Sequence, residues 1–115
     1  MTIRSAVVGA IALFSIATSA GANANGYDRY DRRILLVNRS HSTINEFFAS
    51  NIDDRRWHDD LLEDDVLSPG QQMVLDLDDG SGYCRFDLKT VMNDGSTVVR
   101  RGVDICTVTT FTITD

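Results

Sequence analysis

Apolar and polar residues alternate most regularly in YCRFDLKTVM, Tyr83 to Met92, where Cys84, Phe86 and Leu88 share one face and Tyr83, Arg85, Asp87 and Lys89 the other. A period of two is that of a half-buried β-strand. QQMVLDL, Gln71 to Leu77, repeats the pattern with Met73, Leu75 and Leu77 on one face, and the turn-forming run Asp78-Asp79-Gly80-Ser81-Gly82 separates the two segments. Asn93-Asp94-Gly95-Ser96 predicts a tight hairpin turn, because Asn, Asp and Gly tolerate positive φ. STVVRRGVD is then the return strand, and ICTVTTFTIT, nearly all β-branched or aromatic, closes the chain. Upstream, ILLVNRS (Ile34 to Ser40) and STINEFFAS (Ser42 to Ser50) are separated so briefly that they predict a hairpin turning near Ser40 to Thr43. Six short strands with a single proline define the fold class expected here: all-β, a small antiparallel β-sandwich or partly open barrel. The stretch Trp57 to Leu62 is the one place where a single helical turn fits.

The N-terminus changes where this domain is expected to work. MTIR is followed by the apolar run Ala6 to Ala17 and by small residues ending in Ala22-Asn23-Ala24, the three regions of a secretory signal peptide with cleavage after Ala24 and Ala20-Gly21-Ala22 as a second cleavage site. The run is too short for the roughly 20 residues of a membrane span. The expected organisation is a signal peptide over residues 1–24, a loose polar lead-in over 25–33 and a single β domain over 34–115, exported to the periplasm or the medium. In that oxidising setting the two cysteines, Cys84 and Cys106, are expected to form one intrachain disulfide, since no Cys-x-x-Cys or Cys/His spacing suggests a metal.

Charge narrows the partners. Loss of Arg4 with the leader leaves ten basic residues against 17 acids, and no basic face is apparent, so nucleic acid and anionic lipid are disfavoured. The imbalance is local: Asp53 to Asp79 holds ten acids and two arginines. Within it, "NIDDRRWHDDLLEDDVLSPG" interleaves acids with apolar residues, which predicts an anchored loop. Trp57, Leu61, Leu62 and Leu67, with Val66, turn inward, the indole covering one open end of the sandwich. Asp59, Asp60, Asp64 and Asp65 face a cationic envelope or secreted partner.

Trp57, Asp60-Leu61-Leu62, Leu67 with Pro69-Gly70, Cys84 with Phe86-Asp87-Leu88, Asp94-Gly95 and Val103-Asp104-Ile105-Cys106 together resemble a family of small exported proteobacterial proteins of uncharacterised function. The resemblance spans roughly Ile34 to Cys106. It implies a compact disulfide-bonded β domain and transfers no catalytic residue.

Other chemistries fit less well. Asp76, Asp78 and Asp79 in DLDDGSG suggest a calcium loop, with Asp87 twelfth from Asp76, but Gly80 stands fifth and Ser81 sixth, where an EF-hand needs an acid or amide and then glycine. The acidic loop, with Asp53, Asp54 and Glu63 in addition, has no spacing that forces its carboxylates to converge, and Arg55 and Arg56 interrupt it. The histidines, His41 in a polar turn and His58 among carboxylates, are not placed by sequence in a nucleophile-base arrangement. Neither a metal, a cofactor nor a catalytic residue is therefore assigned. The function expected is a non-catalytic exported binding module; a calcium-binding or small hydrolytic secreted protein, and a structural envelope component without a ligand, are the alternatives.

Overall fold

The alternating segments become six strands in a computed structural model of the chain, which describes residues 30–115. The expected signal peptide and the lead-in as far as residue 29 lie outside the described residues. The strands are β1 (Arg33–Asn38), β2 (Ile44–Asn51), β3 (Gln72–Asp76), β4 (Arg85–Met92), β5 (Thr97–Asp104) and β6 (Thr110–Ile113). They form two three-stranded sheets, ordered β3-β1-β6 and β2-β4-β5, and no helix occurs among the described residues. The all-β fold with one disulfide is as expected.

The inward faces follow the two-residue period. Phe86, Leu88, Thr90 and Met92 of β4 are buried while Arg85, Asp87, Lys89 and Val91 are not. Ile34 and Leu36 of β1, Phe47 of β2, Leu75 of β3 and Ile113 of β6 meet them in one interior cluster. Each apolar side chain of that cluster contributes roughly 1.5–3 kcal/mol by leaving water. The Phe47 and Phe111 rings, 6.1 Å apart, bridge the sheets.

The expected hairpin between the first two strands does not form. β1 and β2 belong to different sheets, and residues 39–43 are a corner between them. Asn38, fully buried, supplies the reason. Its Nδ2 donates to the carbonyls of Ser42 (2.8 Å) and Leu67 (2.9 Å), and its Oδ1 accepts from the Ser40 N–H (3.0 Å) and hydroxyl (2.7 Å). These bonds satisfy the Ser40 N–H and the Ser42 carbonyl within the bend and tie it to Leu67, so the chain turns without a ladder between β1 and β2. β1 instead pairs antiparallel with β3 and parallel with β6, so the sheets are not wholly antiparallel.

The hairpin predicted at Asn93–Ser96 is present, with Gly95 at φ 88° and the Met92 N–H donating to the Ser96 carbonyl at 2.9 Å. Farther along β5 the register shifts opposite Phe86 to Leu88. There the Asp87 carboxylate accepts from the Gly102 N–H (2.9 Å) and from Arg101 (3.0 Å), which holds Gly102 at φ 65° in a bulge.

Cys84 and Cys106 are bonded, with Cα atoms 5.2 Å apart. Both are half-buried and neither lies within a strand: Cys84 precedes β4, and Cys106 occupies the turn after β5 instead of the closing strand expected there. The Ile105 N–H donates to the Cys84 carbonyl (2.9 Å), extending the β4–β5 pairing to the bridge. A loop of this length gives roughly 3 kcal/mol in the chain-entropy account.

The end of the lead-in is not loose. Arg32 is buried, and its guanidinium donates to the carbonyls of Tyr83 (2.6 Å) and Gly82 (2.9 Å), fixing the approach to β4 against the start of β1.

Candidate functional site

The acidic stretch divides into residues that close a strand edge and residues that surround a cavity. β2 pairs with β4 on one side only. On its other side Leu67 forms a two-way bridge with Ile44 (2.8 and 2.9 Å), and the Leu61 N–H donates to the Phe47 carbonyl (2.8 Å). Asp60 completes the closure: its Oδ1 accepts from the N–H groups of Phe47 (2.9 Å) and Leu62 (3.0 Å). One carboxylate oxygen thus stands in for the missing neighbouring strand.

Asp60, expected to face a partner, is half-buried and commits one carboxylate oxygen to the backbone. Asp59, Asp64 and Asp65 are exposed. The turn at Leu61–Asp64 is not helical; Glu63 reaches φ 58°, with its N–H bonded to the Asp60 carbonyl at 3.1 Å. Leu62 and Leu67 are buried and Leu61 packs against the interior cluster, whereas Val66 is exposed.

Trp57 is half-buried. Lys89, on the outer face of β4, places its Nζ 5.8 Å from the Trp57 ring centroid and 5.5 Å from that of Phe48. The indole thus packs on the outside of the β2-β4-β5 sheet, with a cation between two aromatic rings. The Ser50 hydroxyl donates to the Arg56 carbonyl and draws the same segment onto that face.

Around the cavity, two acidic stretches meet that are far apart in sequence. Ala49, Leu61 and Leu77 provide apolar surface, and Asp59, Asp76, Asp78, Asp79 and His58 the polar remainder, of a space of about 200 Å³. Asp59 comes from the loop after β2, and the other three carboxylates from the end of β3 and the turn beyond it. Asn51 Nδ2 donates to Asp79 Oδ2 at 3.0 Å and links the two stretches. Burial acts to raise the Asp79 pKa, but the Ser81 hydroxyl and the Asn51 amide outweigh it and hold this carboxyl below its ordinary value. Asp54 is likewise lowered, chiefly by its hydrogen bond to the His58 ring and then by the Arg56 N–H.

A second, larger cavity of about 250 Å³ lies at the opposite corner, among Ser40, Ser42, Ser96, Asp94 and Asp115. Its hydroxyls serve the local backbone: Ser40 donates to Asn38 Oδ1, and Ser96 to Asp94 Oδ1. The candidate site is therefore placed at the acidic cavity, whose carboxylates outnumber the positive groups around it.

The carboxylates of DLDDGSG do not converge on a point. Asp76 Oδ1 accepts from the Asp78 N–H, Asp78 Oδ1 from the Gly80 N–H and Asp79 Oδ1 from the Ser81 N–H, each at 3.0 Å, so each acid serves its own turn. The potential metal-ligand atoms that do gather closely among the described residues are those of Cys84, Asp104 and Cys106, and both sulfurs there are spent in the disulfide.

The cavity is not legible in the sequence, because Asp59 and Asp76 stand at unrelated positions along the chain. The signal available was that two acidic clusters flank β3, yet nothing in the spacing brings them together. No family model, no curated protein and no solved structure matches the chain.

Proposed function

We propose that the protein is an exported, non-catalytic binding module that recognises a cationic side chain of an envelope or secreted protein at the acidic cavity. The observation that carries this is the pairing of apolar surface from Ala49, Leu61 and Leu77 with carboxylates of Asp59, Asp76, Asp78 and Asp79. A lysine or arginine is the side chain with matching chemistry, an aliphatic stem ending in a charge. Size supports the reading: about 200 Å³ falls below the roughly 300–1,000 Å³ of small-molecule sites, and suits one side chain. A disulfide, and the lack of any helix long and apolar enough to cross a membrane among the described residues, are compatible with export. Asp64 and Asp65, exposed on the same loop, extend the negative field that guides the partner inward.

Titration with N-acetyl-arginine methylamide, followed by the amide NMR signals of Asp59, Leu61, Leu77, Asp78 and Asp79, tests this. The expected result is weak saturable binding at these residues that fades with added salt and is absent for the uncharged citrulline analogue. Equal shifts with citrulline, or shifts centred elsewhere, would overturn the reading.

A further inference from the structure

β3 ends where the cavity begins, since Asp76, Leu77 and Asp78 are part of its lining. Its pairing with β1 occupies alternate residues. The Leu77 N–H donates to the Arg32 carbonyl and the Asn38 N–H to the Gln71 carbonyl, both at 3.0 Å. The alternation of an antiparallel ladder then turns the backbone groups of Met73 and Leu75 toward β1 and those of Gln72, Val74 and Asp76 away from it. No strand among the described residues pairs on that far side.

Val74 is 63% exposed, the most exposed large apolar side chain of the described strands. β5 is also an edge, but it carries Arg100, Arg101 and the Gly102 bulge, devices that discourage pairing. β3 has neither bulge nor proline.

Resting on the cavity reading above, we propose that the free edge of β3 accepts an extended segment of a partner protein as an added strand, one of whose lysines or arginines enters the acidic cavity. Charge selects the occupant: Asp59, Asp76, Asp78 and Asp79 at the end of the edge match a cationic residue in that segment. Main-chain bonds to Gln72, Val74 and Asp76 supply affinity, and the cavity supplies specificity, the usual division in strand addition.

The experiment uses the whole protein and a peptide of alternating threonine and valine with one internal arginine. Two further versions are N-methylated on alternate residues, one in each phase, and a fourth carries citrulline for arginine. The parent peptide is expected to bind at least about tenfold more tightly than the arginine amide and to shift the Gln72, Val74 and Asp76 amides. Methylation in one phase abolishes that gain and in the other leaves it, because only alternate N–H groups face β3. Val74→Pro, which removes an outward N–H, abolishes the gain while leaving arginine-amide binding in place.

A parent peptide no tighter than the amide, or equal binding by both methylated versions, overturns strand addition and leaves the cavity reading standing. Equal binding of the citrulline and arginine peptides overturns the cavity reading, and with it the charge selection proposed here. A dimer of the protein alone that Val74→Pro dissolves makes a second copy the occupant and also overturns the proposal.

Discussion

β2 and β3 are both edge strands, yet one is sealed and the other open. Beside β2, Asp60, Leu61 and Leu67 satisfy the outward backbone groups of Phe47 and Ile44. Beside β3, no part of the described chain takes that place for Gln72, Val74 and Asp76. The acids near the two edges accordingly do different work. Asp60 accepts two backbone N–H groups, whereas Asp59 and Asp76, with similar composition around them, line a cavity. Acidic residues within one stretch are thus distinguished by which backbone groups lie within reach, not by their density.

Among the loop residues, the largest loss is expected from unsealing β2. Asp60→Ala leaves the Phe47 and Leu62 N–H groups without their acceptor, and a fall of about 2 kcal/mol is expected in urea unfolding, from the cost of orphaned donors. Asp60→Asn, which retains Oδ1, is expected to recover most of it. Equal losses from both would mean that the negative charge, and not the acceptor, closes the edge.

Trp57→Ala should cost less, about 1–2 kcal/mol. The indole is half-buried on the outer face and outside the interior cluster, so it forfeits partial burial and a cation–π contact of about 0.5–1 kcal/mol. Phe47→Ala, in the interior, is expected at about 3–5 kcal/mol, and the ratio of the two measured by denaturation locates the loop's anchor.

Acid separates the acids that serve backbone and partner hydrogen bonds in the folded state. Asp31 is lowered from 3.8 to about 2 by the Arg33 guanidinium and N–H, and Asp54, Asp79, Asp94 and Asp115 are lowered as well. A carboxyl depressed in the folded state stabilises above its unfolded pKa and loses that contribution as pH falls through the folded value. The melting temperature should therefore decline between about pH 4 and pH 2, and NMR titration should find Asp31 among the last carboxyls to protonate.

The smallest effect is expected from the exposed acids. Replacing Asp59, Asp64 and Asp65 together by asparagine should change stability by no more than about 0.5 kcal/mol while weakening arginine-amide binding. Unfolding of this variant would place these acids with Asp60 as parts of the edge seal.

The alternation in YCRFDLKTVM made the inner face of β4 legible, and Asn93-Asp94-Gly95-Ser96 the hairpin after it, because strand period and turn chemistry are local properties. The disulfide was legible from the cysteine count and the expected compartment. Asn38 was not, since a buried amide that bonds to Ser42 and Leu67 looks in sequence like an ordinary turn residue, and it holds the corner where the chain passes from one sheet to the other. Asp60 and the cavity escaped for the same reason. Their roles depend on Phe47, thirteen residues away from Asp60, and on Asp76 and Asp59 lining one cavity.

Which faces of the strands are apolar, where the chain turns and how charge is distributed could be read from residue order, since each depends on neighbouring residues alone. Tertiary structure decided which strands pair, which edge is left open and which carboxylates share one cavity. Those outcomes depend on long-range hydrogen bonds and packing, where one buried amide or one well-placed carboxylate outweighs the pairing that sequence proximity would favour.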